Sequence, residues 1–518
     1  MKLNKILTLF LAGMLVFPIA CSEEDLNQIN TNTISTENFW RNADDVRLAV
    51  NGMFHPIANT FFWGRILHTG AVLRSDEFNI RPFGINTTMS TFQGEPGTSR
   101  WATEPFQEGY KSIFRANAVL ENTNAENVPD TDERNSLVGQ AHFMRGYVYW
   151  YLLHLYGNIP LVTQTPQGDA DFFPSQAPRE AVYDQIEADF RQAADLLPDA
   201  WEGVDQGRPT SGSAIAMLGK THLYQREWSE ADAQFARIMD GRYALLPADR
   251  YLENFTTENE NNEENVFSLQ YLGRESFAWG TDIPGVGTLG TYHIDYAPPA
   301  KSPDQSHFIN PWIRDLFEAN GETIRRDATL AYDYPGSTGY GGVPFLEDFD
   351  ADLAVAEAEN RPAIFTRKYA GMEIGTRDQV DFLGTNVGND WRIVRYADVL
   401  LMKAEAMNES GDAAGAAELV NMVRMRAEVD PIDDGMSQED MRQAIIDERV
   451  LELTGESHRF FDLVRWDLAD DYLGPNSLHS EHPKSLSGGV FQSGKHELVW
   501  IPQSEIDANP NLVQNPGY

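Results

Sequence analysis

The sequence predicts a mainly α protein, a scaffold of tetratricopeptide-like helix pairs with a long-loop, aromatic-rich ligand-binding face. Three observations lead there. Apolar residues recur at helical spacing through many segments, and two stretches carry the small-residue and aromatic pattern of a repeated helix–turn–helix. Between the helices lie long stretches rich in Gly, Pro, Asn and aromatics. Hydrophobic residues at 42% and aromatics at 11% of 518 residues suffice for several packed layers or two to three domains.

Residues 1–20 read as an export signal. Lys2 and Lys5 precede an apolar run from Ile6 to Phe17, broken by Thr8 and Gly13, and small Ala20 stands where a peptidase cuts. The run is too short to span a bilayer, and no other stretch reaches eighteen apolar residues. The single cysteine, Cys21, follows at once, so a disulfide within the chain is impossible. Ile19-Ala20-Cys21 resembles the lipobox of bacterial lipoproteins, although Pro18 stands where Leu is usual. That likeness implies a thioether to diacylglycerol at Cys21 and an acylated amine. Each buried methylene contributes about 0.8 kcal/mol, so several chains anchor stably where one does not. Ser22, Glu23, Glu24 and Asp25 then open an acidic tether, similar to the surface-export signal of Bacteroidetes lipoproteins.

The formal net charge of −38 makes phosphate backbones unsuitable partners, so nucleic acid is excluded. With nine lysines in the chain, the acidic surface also suits saline water.

The helices follow in order. Ser35 and Thr36 are N-cap candidates before Phe39, Val46, Val50 and Phe54. "NSLVGQAHFMRGYVYWYLLHLYG" is a strong helix ending at Gly157, and another runs from Pro178 to just before Pro198. Segments 210–226, 229–239, 391–410, 413–426 and 437–454 are helical by the same tests. Leu218, Gly219, Trp228, Ala231 and Phe235 occupy the places of a tetratricopeptide hairpin, with Gly219 and Ala231 allowing close approach. Ala404, Gly411, Ala416 and Val420 repeat the arrangement more weakly.

Residues 59–106, 255–310 and 333–390 read as long loops, and such loops are usually functional. A sugar offers apolar ring faces and a rim of hydroxyls, so a binder needs exposed aromatics beside planar polar groups. Trp63, Arg81, Asn86 and Trp101 are candidates in the first loop. Phe277, Trp279, Tyr292 and Tyr296 are candidates in 271–312, whereas Trp312 opens a helix and is expected to be buried. For each aromatic, core packing is the competing role.

Enzyme chemistry finds little footing. No Gly-x-Ser-x-Gly, His-Glu-x-x-His or Walker-type motif occurs, and 78 carboxylates make chance glycosidase-like pairs inevitable. Asp348, Asp350, Asp352 and Glu359 fall at places 1, 3, 5 and 12 of a calcium-loop register, but Leu353 replaces the turn glycine. An acidic solvated loop is the simpler expectation, and no cofactor is expected.

Five stretches resemble the SusD/RagB nutrient-binding lipoproteins of Bacteroidetes outer membranes. They are "AHFMRGYVYWYLLHLYGNIPLVT", "GRPTSGSAIAMLGKTHLYQREWSEA", "VRYADVLLMKAEAMNESG", "DERVLELTGESHRFFDLVRW" and the terminal "LVWIPQSEIDANPNLVQNPGY". They stand in family order along the whole chain. The resemblance implies a SusD-like α–α superhelix of four helix pairs with ligand on a loop face. It divides the chain into signal (1–20), lipidated Cys and acidic tether (21–34), N-terminal part (35–254) and C-terminal part (255–518). It also implies capture of an extracellular nutrient, usually a glycan or oligosaccharide, and delivery to a TonB-dependent outer membrane β-barrel transporter of the SusC type. A peptide ligand, a helical-repeat adaptor without nutrient, and a lipid-anchored glycoside hydrolase are the alternatives. Arg145, Arg395, Glu448, Arg449, Glu456, Arg459, Asp462 and Arg465 lie among apolar helix positions and are expected to tie helices together by charge-assisted hydrogen bonds.

Overall fold

The computed structural model describes residues 39–80, 88–97, 99–271, 293–296, 307–372, 388–479 and 490–518. Cys21 and the tether lie outside them.

The first helices are α1 (Ala43–Ala58) and α2 (Ile66–Arg74), followed by strand β1 (Phe78–Ile80). The cap of α1 is Asn42, whose side chain accepts from the Asp45 amide; the expected caps Ser35 and Thr36 lie outside the described residues. Next come α3 (Arg100–Asn122) and α4 (Thr131–Tyr156), the short strands β2 (Ile159–Pro160) and β3 (Gln176–Ala177), and α5 (Arg179–Leu196). Helix α4 ends at Gly157, whose φ of 71° favours glycine and whose added Cβ would lie 2.7 Å from Leu498. Helices α6 (Ser211–Tyr224) and α7 (Trp228–Ala236) precede strand β4 (Asn265–Leu269).

The C-terminal part brings β5 (His307–Ile309), α8 (Pro311–Ala319), α9 (Ile324–Thr329), β6 (Leu330–Ala331), α10 (Asp350–Ala358), β7 (Phe365–Thr366) and β8 (Trp391–Arg395). It continues with α11 (Tyr396–Glu409), α12 (Ala413–Arg426), α13 (Gln438–Leu453) and α14 (Arg459–Arg465).

Among the described residues, helices pack in four pairs, α1 on α3, α4 on α5, α6 on α7 and α11 on α12, and neighbouring pairs join into one run. The expected repeat geometry holds at the level of atoms. A Cβ on Gly219 would come within 2.6 Å of the Phe235 ring, so only glycine lets α6 and α7 approach this closely. Ala231, Ala404, Ala416 and Val420 are fully buried, while Gly411 takes φ +94° in the turn between α11 and α12. Strands β1, β5, β7 and β6 form one antiparallel sheet in that order, and β4 pairs with β8.

Two expectations fail locally. Residues 391–395 are strand and not the start of a helix: Ile393 and Val394 are β-branched, all five residues are buried, and β4 supplies the ladder partner. The stretches expected as loops contain α2, β4, β5, α10 and β7, because short elements lack enough turns to show a period.

Buried ion pairs tie the segments of the C-terminal part together. Five buried cations (Arg325, Lys368, Arg395, Arg424, Arg426) interlock with five buried carboxylates (Glu264, Glu322, Glu448, Glu452, Glu456). Arg395 alone reaches Glu264 at 2.5 Å, Glu452 at 2.8 Å and Glu456 at 2.8 Å. Burial alone would raise the Glu452 carboxyl, but Arg426, Arg395 and Arg325 hold it well below the usual carboxylate range. Arg449 bridges Asp398 and Asp462 at 2.8 Å each, Arg465 joins Asp462 to Glu405, and Arg145 grips Asp189 at 2.7 Å. The arginines and carboxylates of the family stretches are therefore structural ties.

Candidate ligand-binding face

Segments 81–87, 272–292, 297–306 and 373–387 carry much of the expected loop face, and their described ends meet around one aromatic cluster. Ile80 pairs with His307 across β1 and β5, and the Tyr271 amide donates to Asp390 at 3.0 Å, beside β8. Trp391 sits at the centre, stacked on Tyr369 at 4.3 Å, with His68 at 4.5 Å, Trp63 at 6.2 Å and Tyr296 at 6.4 Å. Tyr296 stacks in turn on His307 at 5.4 Å.

Trp63, Trp101 and Tyr296 therefore do not present faces to a ligand. They are 2–3% exposed: Trp63 packs on Tyr151 and Trp391, Trp101 sits in the first turn of α3, and the Tyr296 hydroxyl donates to the Gly455 carbonyl at 3.1 Å. Large aromatics gain most by burial, and all three rings belong to the main hydrophobic core. Arg81, Asn86, Phe277, Trp279 and Tyr292 lie outside the described residues, as does Cys21.

The floor is rigidly tied. Arg65 grips Asp295 through two bonds of 2.8 Å, and Arg459 and His479 converge on Asp76 at 2.9 and 3.0 Å. Burial pushes the Glu77 carboxyl up to about 8, with neighbouring Asp76 adding to the effect. Burial likewise pushes His68 down to about 3, against the pull of Asp295.

Trp312, expected to be buried, is half-buried and stacked on His479 at 4.1 Å, its indole N–H donating to the Asp76 carbonyl at 3.0 Å. With Tyr472, 5.2 Å from His479, it makes a partly exposed aromatic edge that the sequence did not single out.

A separate groove of about 660 Å³ runs between α3 and the C-terminal segment. Phe114, Phe172 and Phe173 line it and are 51%, 63% and 46% exposed.

The calcium-loop register is overturned. Phe345–Asp348 and α10 are helical, Asp352 is buried, and Asp348 accepts from the Tyr340 amide at 2.8 Å, so no twelve-residue loop wraps a cation. One trio of metal-type donors converges among the described residues, Glu187, His222 and Glu227. His222 lies 2.6 Å from Glu227, and Glu187 also accepts from Gln225 at 2.7 Å, which ties α5 to the α6–α7 turn.

Comparison with known proteins settles the lineage. A family model described as "SusD family" matches residues 287–518, and one described as "Starch-binding associating with outer membrane" matches residues 84–223. The chain belongs to the SusD/RagB family. Among SusD/RagB relatives, "SusD-like protein P2" of Formosa agariphila is 27% identical over 532 residues, covering 98% of each chain. A solved structure titled "Laminarin binding SusD-like protein" is 26% identical with a TM-score of 0.72, covering 92% of this chain and 100% of its own. A SusD superfamily structure from Bacteroides vulgatus matches the fold with a TM-score of 0.77 at 24% identity, covering 93% of this chain and 100% of its own.

Proposed function

We propose that this chain is a surface lipoprotein that binds an extracellular glycan and passes it to a SusC-type TonB-dependent β-barrel in the outer membrane. The observation that carries the glycan reading is the nearly full-length likeness to a solved laminarin-binding SusD-like protein. Cys21 is the proposed anchor; no helix among the described residues is long and apolar enough to cross a membrane. Arg81, Asn86, Phe277, Trp279 and Tyr292 are the proposed ligand contacts, while Trp63, Trp101 and Tyr296 are part of the packed core. The protein does no chemistry in this reading. It concentrates ligand at the transporter mouth. A protein partner also gains support from the exposed phenylalanine groove, since contiguous apolar surface marks interaction sites.

The test is a binding screen of residues 22–518 against laminarin, starch, further polysaccharides and peptides. Trp fluorescence reports binding, and released reducing sugar is assayed in the same wells. Saturable binding to a glycan without product is the expected outcome. Sugar release would instead establish a hydrolase, and binding to peptides alone would replace the glycan by a peptide cargo.

A further inference from the structure

A second concave region lies away from the loop face, between the α5–α6 connection and β4. Two adjoining clefts of about 500 and 350 Å³ share Gln206, Gly207, Arg208, Phe267 and Ser268 in their walls. These volumes are of the size that small ligands occupy.

The walls of these clefts carry a ladder of side-chain amides. Asn261 Nδ2 donates to Gln270 Oε1 at 3.0 Å, Gln270 Nε2 donates to Ser268 Oγ at 2.8 Å, and Asn265 Nδ2 donates to Asn261 Oδ1 at 3.2 Å and Ser268 Oγ at 3.1 Å. The ladder is thus locked in place, yet Asn265 Oδ1 is buried with no hydrogen-bond partner among the described residues. A buried acceptor left unmade costs free energy that a donor from a ligand would recover. Gly207 makes room for the ladder: its φ is +93°, and a Cβ there would come within 2.4 Å of the Gln270 amide carbon.

Half-buried aromatic rings flank the amides, Phe54 in the larger cleft and Trp201 and Tyr243 in the smaller. The Trp201 indole is fixed by its N–H, which donates to the Pro209 carbonyl at 2.8 Å.

Charge decides the ligand class. Although the protein carries −38, the charged cleft groups are already matched: Arg242 with Asp199 at 2.8 Å, Arg208 with Asp205 at 2.7 Å, and Glu263 with Arg250 at 2.9 Å. Such a cleft favours a neutral ligand with many hydroxyls and an apolar face over an ion.

We infer that this cleft is a second saccharide subsite, taking a short neutral oligosaccharide against the amide ladder and Trp201. The inference rests on the glycan reading above. Its test is to soak crystals of residues 22–518 in molar glucose and, separately, in laminaritriose and triglycine. Sugar density on Trp201 with a hydroxyl at Asn265 Oδ1 is expected. Sugar on the loop face with an empty cleft would overturn the subsite and leave the glycan reading standing. Sugar nowhere would overturn both, and triglycine alone in the cleft would make it a peptide site. In solution, calorimetric titration with laminarihexaose should count two sites on the parent chain and one on the double variant Asn265→Ala/Gln270→Ala, with its melting temperature checked alongside. An unchanged number of sites in a folded double variant would overturn the subsite.

Discussion

Single residues carry much of the stability because so many are charged and buried. Arg395 has three carboxylates around it, and removing the guanidinium leaves Glu264, Glu452 and Glu456 to share Arg426, Arg325 and Lys368, with one buried negative charge in excess. Breaking a buried ion pair this way costs about 3–5 kcal/mol, so Arg395→Met should lower the stability by that amount in chemical denaturation. Glu77 supplies a pH dependence of known sign. Its ordinary value is 4.5 and burial pushes it to about 8, so between these limits the folded chain holds a proton that the unfolded chain has released. Stability contributed by the neutral form is therefore full below about pH 4.5 and lost as pH rises towards 8. Glu77→Gln should flatten the fall in melting temperature across that window; an unchanged slope would rule out Glu77 as its source. His458 acts in the opposite sense. Burial, helped by Lys220, pushes it from 6.5 down to about 4, so its contribution is lost as pH falls through that interval.

At the scale of elements, the helix pairs depend on small residues where backbones meet. Gly219 faces the Phe235 ring with no room for a methyl group. Overpacking of this kind costs about 1–3 kcal/mol, so Gly219→Ala should lower the melting temperature, and Phe235→Leu in the same chain should restore part of the loss. A melting temperature unmoved by Gly219→Ala would mean that α7 can shift away freely. The strands work differently. Sheet β1–β5–β7–β6 and the β4–β8 pair bring residues far apart in sequence together, and β8 carries Trp391 into the aromatic cluster.

At the scale of the whole molecule, the proposed anchor, ligand face and scaffold are separable. Cys21→Ser should leave a folded chain that binds its glycan but no longer fractionates with the outer membrane. Full membrane retention of that variant would remove Cys21 as the anchor. Likewise, Trp279→Ala should weaken glycan binding without moving the melting temperature, whereas Trp63→Ala should lower the melting temperature by opening a cavity beside Tyr151 and Trp391. The first outcome is read by titration and the second by thermal unfolding.

The helical scaffold, the two hairpins and the family were legible in the sequence by itself, and the proposed export signal and Cys21 anchor rest on it alone. These are local or periodic signals: a lone cysteine after an apolar run, small residues at fixed offsets, and ordered motifs along the chain. Tertiary structure decided which aromatics are walls and which are surfaces. Trp63, Trp101 and Tyr296 look like Trp312 in a composition of loops and rings, yet three are buried and one is half-exposed. It also decided the network around Arg395: its partners Glu452 and Glu456 lie in a recognisable motif stretch, but its partner Glu264 and the cations Lys368 and Arg325 that share those carboxylates come from segments with no motif. The amide ladder was hidden for the same reason, since Asn261, Asn265 and Gln270 become a surface only when β4 pairs with β8. Burial and ion pairing are properties of residues distant in sequence, and spacing along one chain carries no record of them.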